Sequence, residues 1–261
     1  MKFFWFAILL LCCSAWASTS DGERQDIALY TYHYMPPYVI NPAKEVGLFY
    51  DIARFFNQHQ QTYRFKVSYI PRKRLNYQLS LNEFEGMVIG VNPIWFKDLN
   101  QSTYLWSAPF MQDQDEIISH LSNPVEFKTP QALYDKRVGG ITGFRYHTID
   151  QLVADGFVTR INTANESQLI KMLLKNRFDC AIVSRATTIY YQHILNTNQA
   201  LYFSSVPHDQ YTRHILVPKR LSAEFNAIIP LIEQLISNYQ WQQKMQQYDT
   251  GLPAKSKDES R

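Results

Sequence analysis

The feature that most limits the fold is a repeated switch between two apolar periods. Ile27 to Tyr32 reads as a strand and ends in a turn at Met35-Pro36-Pro37-Tyr38. Leu48, Phe49, Ile52, Ala53, Phe55 and Phe56 then recur at helical spacing. Phe65, Val67 and Tyr69 alternate as a second strand stopped by Pro71. Arg72 to Leu81 reads as a helix, and Met87 to Val91 as a third strand stopped by Pro93. Such a βαβαβ run implies a mainly parallel sheet, because parallel neighbours need a crossover long enough to hold a helix.

A second unit repeats the pattern. Thr129-Pro130 reads as a helix start, with Thr129 as N-cap. Arg137 to Ile141, Val158 to Ile161 and Phe178 to Val183 read as strands, and Tyr146 to Ala154 and Arg185 to Leu195 as helices. Asn165 and Gln168 have capping-box spacing ahead of Leu169, Met172 and Leu173. Tyr211 to Val217 closes as a strand, followed by an amphipathic helix over 222–248 that Pro230 is expected to kink or split. Two polar, extended segments, 113–124 and 203–214, run between the units and would make a double hinge.

The ends carry separate information. Met1-Lys2, the apolar run Phe3 to Cys13 and Ala15-Trp16-Ala17 form an export signal, residues 1–17, with cleavage expected after Ala17. The run is too short to span a bilayer as a helix. The charged tail, residues 251–261, is expected to be disordered. Cleavage leaves Cys180 as the one cysteine, a small buried hydrophobe that precludes an intramolecular disulfide.

The formal charge of +3 is interspersed, and Arg72-Lys73-Arg74 is too small a cluster for a nucleic-acid face. There is no G-x-S-x-G, P-loop or H-E-x-x-H, and the seven histidines lack metal-ligand spacing. No catalytic residue, metal or cofactor is therefore expected. The stretch Glu85 to Phe110 carries the ligand signal. Its strand breaks at Asn92-Pro93 and spills Trp95, Lys97 and Asp98 into one loop. Open α/β folds place ligands at such strand ends. Trp95 could stack on a flat ligand or a cation, and Lys97 could attract an anion.

These residues resemble a family. Pro36-Pro37-Tyr38, Gly47-Leu48 with Asp51, Pro71 to Leu75, Glu85 to Val88, Trp106-Ser107-Ala108-Pro109-Phe110, Val138-Gly139 through Gly143, and Phe178 to Val183 are similar, in order and spacing, to motifs of bacterial extracellular solute-binding proteins of family 3, the polar-amino-acid-binding type. The resemblance spans residues 27–248. It implies an α/β, type II periplasmic binding protein of two lobes, each a mainly parallel sheet with helices on both faces, joined by a two-strand hinge. Lobe one would comprise residues 26–112 and 215–250, lobe two 125–202, with crossings at 113–124 and 203–214.

It further implies a monomer that closes on a small-molecule ligand and serves an ABC permease or a membrane sensor in the periplasm. The site residues implied are Tyr34, Tyr38, Arg74, Gly90, Asn92, Trp95, Lys97, Thr142, Phe144, Arg145 and Ser184. Two departures stand out. The family's loop arginine for a ligand carboxylate falls on Trp95 or Lys97, and its aspartate for a ligand ammonium falls on Ser184. The ligand expected is therefore small and polar, amino-acid-like or another organic anion, but not a standard α-amino acid held by that pair. An alternative is a cyclohexadienyl dehydratase-like enzyme, with Glu85 or Glu166 as the acid.

Overall fold

The structure is a computed structural model that describes residues 24–197 and 200–247. The expected signal (1–17) and tail (251–261) lie outside the described residues. Lobe one opens with β1 (Gln25–Thr31), α1 (Leu48–His59), β2 (Tyr63–Tyr69), α2 (Arg72–Ser80), β3 (Met87–Val91) and the short β4 (Leu105–Trp106). The chain then crosses on β5 (Met111–His120). Lobe two holds β6 (Arg137–Ile141), α3 (His147–Ala154), β7 (Thr159–Thr163), α4 (Glu166–Leu173), β8 (Cys180–Ser184), α5 (Arg185–Leu195) and β9 (Leu201–Phe203). It returns on β10 (Asp209–Val217) and ends with α6 (Ser222–Ser237) and α7 (Tyr239–Gln247).

The strand order is β2-β1-β3-β10-β5-β8-β6-β7, with β4 on β10 and β9 on β5. β1 is parallel to β2 and β3, and β6 to β7 and β8. The crossings are the antiparallel members. β10 pairs with β3 through His214 to Leu216, and with β5 through Asp209 to Arg213. β5 in turn pairs with β8 through Asp115 to Ser119. Two strands are thus shared between lobes in one continuous hydrogen-bonded path.

Alternation along buried strands builds a core on each sheet face. On β8, Cys180 and Ile182 join Val138, Ile149 and Leu152, while Ala181 and Val183 join Leu169, Ile170 and Phe178. Burial pushes the Cys180 thiol up to about 12, so it is packing rather than a nucleophile. On β3, Met87 and Ile89 pack with Phe49, Phe56 and Phe65 beneath α1 and α6, and Val88 faces Leu75 and Phe84. Regular alternation would send Val91 to the first cluster, yet it lies in the second. Gly90 explains the flip. Its φ is +81°, and the facing strand shifts register between His214 and Ile215, a bulge that turns the strand end over.

Two local expectations are corrected. The Thr129-Pro130 start yields only one 3₁₀ turn, Pro130–Leu133, with no cap from the Thr129 side chain. The chain leaves it through Asp135, whose left-handed backbone donates its N–H to Phe157 O at 2.9 Å. Pro230 lies inside α6 without ending it. The break falls at Asn238, whose Oδ1 accepts from Trp241 N at 3.1 Å and so caps α7.

Candidate ligand site at the hinge

The antiparallel registers decide which side chains share a face. Asp113 lies opposite Tyr211, and Asp115 opposite both Asp209 on β10 and Ser184 on β8. Cross-strand partners, and residues two apart on a strand, point to the same side. One face of the hinge ladder therefore carries Asp113, Asp115, Ser184, Asp209, Tyr211 and Arg213. Glu116 points to the other side, where Arg185 Nη1 reaches its carboxylate at 2.8 Å.

Arg213 is the centre of that face and is fully buried. Its Nε and Nη2 donate to Asp113 Oδ2 at 2.9 and 2.6 Å, and its Nη1 to Gly90 O at 2.8 Å. Nη2 also reaches the Tyr38 hydroxyl at 3.1 Å and that of Tyr211 at 3.3 Å. The guanidinium carbon lies 4.3 Å from the Tyr38 ring centre, 5.1 Å from Tyr211 and 5.8 Å from Trp95. The Tyr38 hydroxyl donates to Asp113 and lies 3.3 Å from Ser184 Oγ. Burial pushes both phenols well above their ordinary range, so Tyr38 and Tyr211 are neutral.

The lobes touch directly here. Ser184 caps α5 through Thr187 N at 3.3 Å, and Thr187 Oγ1 donates to Pro36 O of lobe one at 2.7 Å. On the lobe-one side, His33 is buried among Tyr32 (4.2 Å), Trp95 (5.4 Å) and Tyr38 (6.4 Å between ring centres). Neither of its ring nitrogens has a hydrogen-bond partner among the described residues. Burial, then Arg213 and Arg72, hold its pKa well below the ordinary histidine value, so the imidazole is neutral. Trp95 is half-buried and meets Tyr211 edge-on at 4.9 Å.

Asp115 is half-buried, and Tyr211 donates to its Oδ1 at 2.9 Å. Burial, then the Asp113 charge, pushes its carboxyl up to about 7. A carboxyl whose folded pKa is raised binds more protons folded than unfolded, so stability falls as pH rises between the two values. Its contribution is complete below about pH 4 and lost by about pH 7. Asp115→Asn should therefore leave the melting temperature unchanged at pH 4 and raise it at pH 8. A pH-independent difference would show that Asp115 stays ionised.

The residues marked in the sequence fall into two groups. Tyr38, Gly90, Trp95 and Ser184 converge on the Arg213–Asp113 pair, and Asn92 holds the adjoining loop. Asn92 caps the 3₁₀ turn Pro93–Phe96 and donates its amide to Thr212 O at 2.8 Å, tying the loop to β10. The others point elsewhere. Tyr34 is exposed against the Tyr69 ring at 4.9 Å. Arg74 is exposed, whereas Arg72 on the same helix reaches Tyr32 and Trp95 O and lies 4.0 Å over Phe96. Lys97 is exposed at the left-handed end of its turn, with φ +56°.

In lobe two, Thr142 Oγ1 bonds back to Thr163 O at 3.0 Å, Phe144 packs on both cores, and Arg145 is exposed. Glu85 is exposed and paired with Arg220 at 2.9 Å, while Glu166 is buried in the first turn of α4. Sequence reading missed Asp113, Asp115, Tyr211, Arg213 and His33. The one available signal was an ionisable residue at an inward position of an alternating strand, as Arg213 is in Tyr211-Thr212-Arg213-His214-Ile215.

No family model and no curated protein matches the sequence. Solved structures match its shape. A P235GK mutant of the arginine-binding protein ArgBP from T. maritima aligns at TM-score 0.66 and 15% identity, over 86% of this chain and 95% of that one. The GluR0 ligand-binding core from Nostoc punctiforme, in complex with L-glutamate, aligns at TM-score 0.65 and 14% identity, over 85% and 98%. An ancestral amino-acid-binding protein, AncCDT-1, a precursor of cyclohexadienyl dehydratase, aligns at TM-score 0.62 and 14% identity, over 85% and 95%. The chain has the two-lobed fold of the periplasmic solute-binding proteins.

Proposed function

We propose that the protein is an exported solute receptor that captures a small polar molecule by closing its lobes about the β5/β10 hinge. It would serve ABC-type uptake or signalling to a membrane partner, and work in the periplasm as a monomer. One observation carries this reading: side chains from lobe one (Tyr38, Trp95), lobe two (Ser184) and both hinge strands (Asp113, Arg213) meet at one point. A site so assembled senses lobe position, and a solute stabilises closure by its differential affinity for the closed state. Structural neighbours in complex with arginine and with glutamate support a small polar solute. No described helix is long and apolar enough to cross a membrane.

Native mass spectrometry of freshly purified protein should reveal a retained solute, and scattering should show compaction when it is added back. No retained mass and no compaction with any solute would overturn the reading. Calorimetry against the standard amino acids should show no micromolar binder, because Ser184 brings no carboxylate and Arg213 is already paired. Trp95→Ala should weaken the retained solute by more than about 1 kcal/mol, the loss of an aromatic anchor; unchanged affinity would make Trp95 a cover for the sheet edge.

A further inference from the structure

Helix α5 belongs to two cores. Tyr191 and Leu195 pack against the lobe-two cluster of Leu169, Ile170 and Phe178. Ala186, in the first turn of the same helix, is fully buried and joins the lobe-one cluster of Met35, Tyr38, Val39 and Phe49 instead. Thr187 and Thr188 beside it are fully buried as well. A lobe-two helix that starts inside the lobe-one core makes a dry seam between the lobes. A side chain larger than alanine at 186 would have to enter a packed interior.

The polar groups of the seam are satisfied across it. Ser184 Oγ donates to Thr187 Oγ1 at 3.0 Å, and Thr187 Oγ1 donates in turn to Pro36 O of lobe one at 2.7 Å. Ser184 Oγ also lies 3.3 Å from the Tyr38 hydroxyl, which Asp113 and Arg213 hold in place. Thr188 Oγ1 returns to Ser184 O at 3.0 Å. Every one of these groups comes from the chain itself. Parting the lobes here would break the Thr187–Pro36 bond and return Ala186, with the part of the lobe-one core it covers, to water.

We propose that the first turn of α5 is a latch: it holds lobe two on lobe one without a solute, so that the empty protein rests mainly in the closed arrangement. The Ser184 hydroxyl serves the latch rather than a solute. The latch goes beyond the receptor reading and does not depend on it. In a receptor, a latch leaves the solute less closing to drive. Removing it weakens solute binding by no more than the factor by which closed protein becomes scarcer.

Spin labels at exposed Leu99 of lobe one and exposed Gln151 of lobe two report lobe separation by pulsed dipolar spectroscopy. The protein is first stripped of solute by unfolding and refolding, and native mass spectrometry confirms that it is empty. The empty wild type should show one dominant short distance. Thr187→Val, similar in size but without the hydroxyl, should lower the ratio of closed to open protein about fivefold, the loss of one hydrogen bond. Thr187→Ser keeps the hydroxyl and should match the wild type. Ala186→Trp, a wedge in the seam, should make the long distance dominant. Should that variant fail to fold, the two Thr187 variants still decide.

An empty wild type that is mostly open, and shortens only when solute is added, overturns the latch and leaves the receptor reading standing. An unchanged distribution in Thr187→Val overturns it too. Weaker solute binding by Thr187→Val at unchanged distances makes Thr187 a solute contact and likewise overturns it. A latch that responds as described, in a protein that retains no solute and compacts with none, is upheld while the receptor reading falls.

Discussion

Arg213→Ala should lower stability by about 3–5 kcal/mol, because it strands the Asp113 carboxylate as an unpaired charge. Both partners are fully buried, at 1% and 0% side-chain exposure. The same change deprives Gly90 O and the Tyr38 hydroxyl of their donor. In a chain of this size the melting temperature should fall by roughly 10 °C. Chemical denaturation of the purified variant measures the loss. A double change, Arg213→Met with Asp113→Leu, should recover most of it, since a buried ion pair contributes little over apolar groups of similar volume. A single-variant loss under about 1 kcal/mol would mean that water reaches the pair.

Gly47→Ala should cost about 3 kcal/mol, and through backbone rather than charge. Gly47 has φ +140°, a region that side chains avoid. A Cβ there would lie 2.4 Å from Tyr38 O and 2.9 Å from its carbonyl carbon. Those are main-chain atoms and cannot rotate aside. They are also pinned, since Leu48 N donates to Pro37 O at 2.9 Å and Phe49 N to Tyr38 O at 3.1 Å. Any relief therefore shifts Tyr38, and with it the contacts to Asp113, Ser184 and Arg213. Lower stability should come with weaker solute binding. An unchanged denaturation midpoint would show that the turn gives way freely.

The architecture was legible because it rests on local pattern. Apolar periods mark β1, α1, β2, α2 and β3, and proline stops at Pro71 and Pro93 separate the elements. The bulge at Gly90 was not legible in detail, because a glycine in a strand signals an irregularity without saying which residue turns over. Of the site, Tyr38 and Trp95 were readable from their places beyond strand ends. Arg213 and Asp113 were not. They are 100 residues apart, and their meeting depends on β10 pairing with β5 rather than with another strand. Asp115 depends on the same pairing, and His33 on the Tyr38 turn and the Trp95 loop closing over it. Nothing in the local run around either shows which rings will close over it.

The central place of β10 has a consequence for how the chain is made. It lies between β3 and β5, yet it is completed only at residue 217 of 261. Until then β3 and β5 each present an open edge, and neither lobe can close its sheet. Such late, distant pairing slows folding. A nascent chain of this design cannot complete its sheet until β10 has been made. The same delay leaves two bare strand edges that a neighbouring copy could pair with, so emerging fragments are where this protein is most exposed to aggregation.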